Sequence, residues 1–434
     1  MSFNPNITTI VIDNGTGYTK MGYSGNLDPD YIMPTAIAEL NKKSTISTSN
    51  KNDEFNYAIG YDAINLARES KEHQLIYPMA DGIISNWDVM EKFWNHSLYH
   101  YMRCDPENHY FVLTEPPMNP PENRENIAEI YFETFNVAGL YIGVQATFAL
   151  LGCKTTVTDK GKKNIPNECL QDQVKAIESL TGTVIDSGDG VTHVVPICDG
   201  YVLGTNIKHI PIAGRKITKF MADMMKDRGE KAPNEDLFYI ARDVKENHGY
   251  LCKDIIEEFQ KYDEKTKEGD YKYKKITGEG HITSKPYSVE VGHESFLGPE
   301  MFFNPELIDK NYTQSIDEIC DVTIQNCPVD YRRRLYSNIV LSGGSTMFKN
   351  FERRLETSLQ KRVTERLDKY STGTIKPQPI KVNVTKSLSK QHSVWLGGST
   401  FATYPHFYKA LHTREEYLEK GPICCRFNPV FGYS

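Results

Sequence analysis

Two glycine-rich turns in this chain carry the same acid at the same place. Asp13-Asn14-Gly15-Thr16-Gly17 and Asp186-Ser187-Gly188-Asp189-Gly190 both read D-x-G-x-G. Glycine lets backbone N–H groups approach a phosphate closely and tolerates positive φ. Two such turns facing each other would therefore offer donors to both sides of a polyphosphate. Asp13 and Asp186 would then stand near a Mg²⁺ ion, acting through its bound waters because Mg²⁺ dehydrates reluctantly. Lys20 follows the first turn at a spacing that lets its ammonium reach a phosphate oxygen as a point charge. A single turn of this kind usually only reverses the chain, whereas two copies about a domain apart point to a nucleotide. Neither a G-x-x-x-x-G-K-[ST] loop nor a G-x-G-x-x-G fingerprint is present to suggest another phosphate site.

A third glycine element runs Ile339-Val340-Leu341-Ser342-Gly343-Gly344-Ser345-Thr346-Met347-Phe348. By itself it reads as a strand turning into a helix. Beside the other two turns, Gly343 and Gly344 would let a flat base lie against the backbone, with Met347 and Phe348 packing on it.

The elements that must hold these turns are legible around them. Thr8 to Ile12 and Thr181 to Ile185 are β-branched runs that lead straight into the turns. Tyr18 to Tyr23 and residues 191–197 continue as strand, so each turn is the tip of a hairpin. The repetition implies an internal duplication of one α/β unit. Asn350 is placed to cap a helix bearing Phe351, Leu355, Leu359, Val363 and Leu367 at steps of four, as expected for a helix laid on a sheet. Residues 41–56 and 155–173 have weak apolar periodicity and read as surface insertions, and residues 262–275 as a charged, tyrosine-containing connection. Strands alternating with helices define an α/β class.

Size and composition agree. The 434 residues, 39% hydrophobic and 25% charged, suit two domains with a sizeable interior. A formal charge of −7 with mixed signs argues against nucleic acid. The nine cysteines include no C-x-x-C pair, and bridging the neighbours Cys424 and Cys425 would strain the backbone, so reduced and mostly buried thiols are expected. The N-terminus shows no signal-peptide pattern. The most apolar stretch, 139–153, is too short to span a bilayer and contains Gln145, so a soluble intracellular protein without membrane insertion is expected.

The hairpin segments from Asp13 to Gly25 and from Asp186 to His193 are similar to actin segments. So are Ile212-Ala213-Gly214-Arg215, the Gly343-Gly344 turn and the run from Ser393 to Ser399. Over nearly its whole length the chain resembles the actin family. Four further stretches resemble one branch of it, the actin-related proteins of the complex that starts branched actin filaments: residues 207–211, 296–300, 324–328 and 426–432. The resemblance implies a duplicated actin-like (RNase H-like) α/β fold, two lobes with four subdomains around a nucleotide cleft. Residues 1–152 with 393–434 would form one lobe, its outer subdomain about 35–77. Residues 153–392 would form the other, with an outer subdomain about 213–301.

It also implies ATP with Mg²⁺ or Ca²⁺ as ligands. Gly15, Thr16, Gly17 and Lys20 would contact phosphates with Gly188 and Gly190. Asp13 and Asp186 would organise the metal, and Asp189 would lie near the ribose. Lys245 and Glu246 would flank the nucleoside with Gly343, Gly344, Met347 and Phe348. Gln145 and His193 would position the attacking water, with Asp186 serving catalysis through the metal and turnover at most slow. The implied partners are a second actin-related protein, the other subunits of the branching complex, actin filaments and nucleation-promoting factors of the WASP family, in the cytoplasm and cortical actin structures.

There are departures from actin. Residues 42–56 are polar where actin has an apolar loop, a long insertion precedes the second hairpin, the C-terminus is extended, and Gln391 replaces a basic residue. These argue against free self-polymerisation. Leu151, Phe401 and Tyr404 would line a partner cleft or, equally, pack in the core. Two other functions stay open at the level of sequence: a small-molecule phosphotransferase of the same superfamily, and a nuclear actin-related protein of a chromatin complex.

Overall fold

The computed structural model describes residues 7–40, 57–70, 72–156, 180–263, 273–370, 377–385 and 391–432, without the side chains of 155, 156 and 263. The β-branched run before the first turn forms the strand Thr9–Asn14, which is buried along its whole length. It sits inside a six-stranded sheet ordered His412–Thr413, Gly139–Val144, Tyr110–Glu115, Thr9–Asn14, Tyr18–Tyr23, Tyr31–Pro34. Tyr18–Tyr23 pairs antiparallel to it on one side, and Tyr110–Glu115 pairs parallel on the other.

The second sheet repeats this plan. Gly182–Ser187 pairs antiparallel with Thr192–Cys198 and parallel with Ile339–Ser342, which in turn pairs parallel with Val384–Thr385. Tyr201–Val202 and Lys208–Ile210 both add to Thr192–Cys198. The expected duplication is thus visible as one strand arrangement used twice.

Strand residues alternate between faces, and the cores follow that alternation. Ile10 and Ile12 belong to one apolar cluster with Phe93, Trp94 and Phe111. Ile185, Ile339 and Leu341 belong to another with Ile217 and Leu355. Their neighbours along the strands, Val11, Val184 and Val340, all belong to a third cluster shared by the two sheets. Two helices fill that shared core. One, Gln145–Thr156, leaves the strand Gly139–Val144 without a break, and the other, Ser393–Phe401, is buried at every residue. Gly152 and Gly397 let their backbones touch. The Trp395 indole donates to Val11 O at 3.0 Å and ties the second helix to the first sheet. Leu151, Phe401 and Tyr404 are buried in the same cluster, so the core role describes them.

The amphipathic helix Phe351–Lys369 buries Phe351, Leu355, Leu359 and Val363 as the four-residue spacing predicts, and Leu367 packs on the same cluster. Its start departs from expectation. Asn350 takes a left-handed conformation, φ 70°, and makes no capping hydrogen bond. Its amide instead donates to Leu251 O at 3.0 Å, so a tertiary contact outcompetes the local cap. Of the expected connection at 262–275, Tyr262 is buried against Phe296 and Leu297, and residues 264–272 lie outside the described residues. The expected insertion at 41–56 lies outside them too, as does that at 155–173 apart from the two helical positions Thr155 and Thr156. Among the described residues no helix is long and apolar enough to cross a membrane. Among the described residues no cysteine forms a disulfide, and all the cysteines but Cys424 are buried.

Candidate nucleotide site

The two acid-tipped hairpins meet. A methyl added at Gly17 would stand 2.9 Å from Asp189 Cβ, and one at Gly190 would stand 2.8 Å from Thr16 Oγ1. Each turn therefore closes on the other at a position where only glycine fits. Added carbons at Gly188 and Gly344 would meet nothing within 4 Å, so these two positions border open space.

On the first hairpin, Asp13 lies opposite Lys20 across the antiparallel pair, and Lys20 Nζ donates to Asp13 Oδ2 at 2.8 Å. Thr114 Oγ1, from the neighbouring parallel strand, donates to Asp13 Oδ1 at 2.6 Å. Gln145 reaches the same carboxylate oxygen at 3.4 Å from the first turn of its helix. Asp13 is therefore oriented by three side chains from three elements. The Thr16 hydroxyl accepts from the Gly82 N–H at 2.8 Å, which leaves its own proton to donate.

On the second hairpin, Asp186 lies opposite His193 in one register and Ser342 in the other. Burial pushes the Asp186 carboxyl above the usual range, the Ser342 hydrogen bond opposes this, and the negative charge of Asp13 adds to the rise. The two carboxylates thus feel each other, with the Lys20 ammonium near both. A buried and a half-buried acid against one ammonium leave an excess of negative charge that a hard cation would relieve. Carboxylate and hydroxyl oxygens are the donors Mg²⁺ and Ca²⁺ take, so these residues fit such an ion.

The third glycine element backs onto the second hairpin. Gly343 has φ +86°, and an added Cβ would lie 2.2 Å from Ser187 O, so this position is closed to side chains. Ser345 Oγ donates to Gly188 O at 2.7 Å. Gly214 N and Arg215 N, opening the helix Gly214–Asp227, donate to Gly188 O and Asp189 O at 3.0 and 2.8 Å. Asp189 is held by Arg215 Nε at 3.0 Å. Lys245 is buried and donates to Gly214 O at 3.2 Å, and its burial lowers its ammonium pKa. Glu246 and Met347 are exposed, while Phe348 is half-buried against Gly249.

Asp13, Gly15, Thr16, Gly17 and Lys20 are thus brought together with Gln145, Asp186, Gly188, Asp189, Gly190, Gly343 and Gly344. Lys245 joins them through Gly214. Gln391 is exposed, just ahead of the Ser393–Phe401 helix. His193 stands directly across the ladder from Asp186, so the two side chains leave the same face of the sheet, and its Nε2 is 3.3 Å from His209 Nδ1. Sequence reasoning missed Thr114, Arg215, Ser345 and the turn at Asp81-Gly82. That turn has positive φ at both residues and lies within 3.3 Å of a carbon added at Gly190. Its Asp-Gly dipeptide between Met79–Ala80 and Ile83–Ile84 is a hairpin signal that could have revealed the turn, though not its destination.

Burial, with a smaller contribution from His209, drives the His193 pKa down to about 4. In the unfolded chain it would titrate near 6.5. Between those values the unfolded state binds the extra proton, so stability falls as the pH drops from about 6.5 towards 4. The slope approaches ~1.4 kcal/mol per pH unit. His193→Gln is expected to flatten this loss in denaturation midpoints followed from pH 7 to 5. An unchanged acid slope would show that His193 is not the buried neutral group described here.

A twice-used sheet plan with two opposed acid turns at its centre defines an actin-like α/β protein. Residues 4–427 match the family described as Actin, and the chain belongs to the actin family. It is similar to actin-related protein 3 of Dictyostelium discoideum, 48% identical over 432 residues and 98% of each chain. The proteins of that name from Acanthamoeba castellanii and Caenorhabditis elegans are each 46% identical, over 98% and 97% of both chains respectively. Family membership implies a nucleotide with a divalent cation.

Proposed function

We propose that this chain is the ATP-binding actin-related subunit of the Arp2/3 complex, pairing with a second actin-related protein to start branched actin filaments. The observation that carries the nucleotide reading is the approach of Gly17 to Asp189 and of Gly190 to Thr16. The assembly reading rests on the 45–48% identity to proteins named actin-related protein 3 over nearly their full length. Residues 1–152 with 393–434 form one lobe and 153–392 the other, in keeping with separate cores on the two sheets.

When bound with ATP, Mg²⁺ or Ca²⁺ supplies positive charge against the phosphates. Asp13 and Asp186 would hold that ion, one from each lobe. Lys20 and Thr16 donate to phosphate oxygens, helped by backbone at Gly15, Gly17, Gly188 and Gly190. Asp189 accepts from the ribose. Lys245 and Glu246 face Gly343, Gly344, Met347 and Phe348 across the nucleoside. Gln145 orients a water without acting as a strong base, and neutral His193 supports it, which suits slow turnover. Because the ligand touches both lobes, it binds the closed arrangement better than an open one, and only that difference shifts the population. Partners are a second actin-related protein, the other complex subunits, WASP-family factors and actin filaments, in cortical structures of the cytoplasm.

Affinity purification of the native protein followed by mass spectrometry tests the assembly reading. A second actin-related protein is expected among the co-purifying subunits, and the purified assembly is expected to shorten the lag of actin polymerisation in the presence of ATP. Recovery with chromatin-remodelling subunits instead would overturn it, as would ATP turnover stimulated severalfold by a sugar.

A further inference from the structure

Away from the cleft, at the far edge of the first sheet, three soft donors converge. His412 lies on the edge strand His412–Thr413, opposite Leu140. Cys424 and Cys425 close the short turn Pro422–Cys425, which follows Gly421 at φ 70°. A ring nitrogen of His412 and the two Sγ atoms all lie within 4.8 Å of one another. We propose that His412, Cys424 and Cys425 form a binding site for one thiophilic divalent cation of the Zn²⁺ class.

Three further observations support this. The two Sγ atoms are 3.8 Å apart. Two bonds of about 2.3 Å at a tetrahedral angle span about 3.8 Å, the edge a Zn²⁺ bis-thiolate requires. Second, Glu416 Oε2 lies 3.1 Å from His412 Nδ1, and its other oxygen accepts from Lys420 Nζ at 3.0 Å. A carboxylate on one imidazole nitrogen fixes the tautomer and makes the other nitrogen a better ligand, the arrangement that commonly backs histidine ligands of zinc. Third, a cavity of about 20 Å³ is lined by His412 and Cys425 together with Tyr141 and Asn428. That volume holds a single water, enough for a fourth ligand.

Binding replaces both thiol protons by two metal–sulfur bonds and releases those protons to solvent, with no change of oxidation state. The neighbouring Arg124 guanidinium is held by Glu115 at 2.7 Å and does not oppose the cation as a lone charge.

The test is a Co²⁺ titration of the full-length protein, reduced and kept in excess Mg²⁺ and ATP. Thiolate–cobalt charge transfer absorbs in the near ultraviolet, and an oxygen-donor site gives no such band. The band is expected to saturate at one Co²⁺ per chain and to be bleached by one equivalent of Zn²⁺. Cys424→Ser and His412→Gln are each expected to weaken Zn²⁺ binding by at least about 10-fold, and Glu416→Gln by roughly 10-fold with the band shape kept. Cys424 is only half-buried, so its serine variant leaves the fold intact, as circular dichroism will report. Absence of the band in the reduced protein overturns the proposal. So does a band unchanged in both ligand variants, or a Cys424–Cys425 disulfide that persists under reduction.

Discussion

Asp186→Ala is expected to weaken Mg-ATP binding by about 10- to 100-fold while leaving the ligand-free protein as stable as the parent, or slightly more so. The carboxylate contributes a charge-assisted interaction of roughly 1.5–3 kcal/mol once a cation and phosphates are present. Without them it is a half-buried acid whose pKa is raised by desolvation and by Asp13, so its charge costs the folded state free energy. Removing it separates binding from folding. Asp13→Ala should behave differently, because it strips the partner from Lys20 and from the Thr114 hydroxyl as well. Breaking a largely buried pair of that kind costs ~3 kcal/mol, so this variant should lose both affinity and stability. Titration calorimetry with Mg-ATP beside thermal unfolding without it measures both quantities. ATP affinity within twofold of the parent in both variants would dissolve the assignment of the site.

The second large effect belongs to the helix crossing between the sheets. A Cβ at Gly397 would stand 1.8 Å from Phe148 O, and one at Gly152 would stand 2.2 Å from Ser393 O. Both obstacles are backbone, so no rotamer change relieves them. Gly397→Ala must drive the two helices apart inside a fully packed core that also carries Trp395 and its bond to Val11 O. Overpacking of this severity costs about 3 kcal/mol or more, and a clear drop in the thermal unfolding midpoint is expected. Gly204→Ala is the control. Its added carbon meets only ordinary contacts at 3.5 Å or beyond, so the midpoint should move little. Equal midpoints for Gly397→Ala and the parent would mean that the helices do not cross in contact.

The sequence by itself determined the strands, the hairpins and the long amphipathic helix, because each rests on local rules. Alternation, β-branched runs and four-residue spacing act over a few residues, and Thr9–Asn14, Gly182–Ser187 and Phe351–Lys369 appear where those rules put them. The pair of D-x-G-x-G turns was legible for the same reason, since a glycine demanded by close approach leaves a mark in the sequence. What the turns approach was not legible. Asp189 against Gly17, Thr114 on Asp13 and Arg215 on Asp189 join residues far apart in the chain, and no local preference records such contacts. Asn350 shows the converse: a good capping residue by type gave up its cap for Leu251 O because a tertiary partner was available. The pairing of His412 with Cys424 and Cys425 is likewise the work of the edge strand and its neighbouring turn. Residue types announced which chemistry the chain can perform. Only the packing of two similar sheets around shared helices decided which groups stand close enough to perform it.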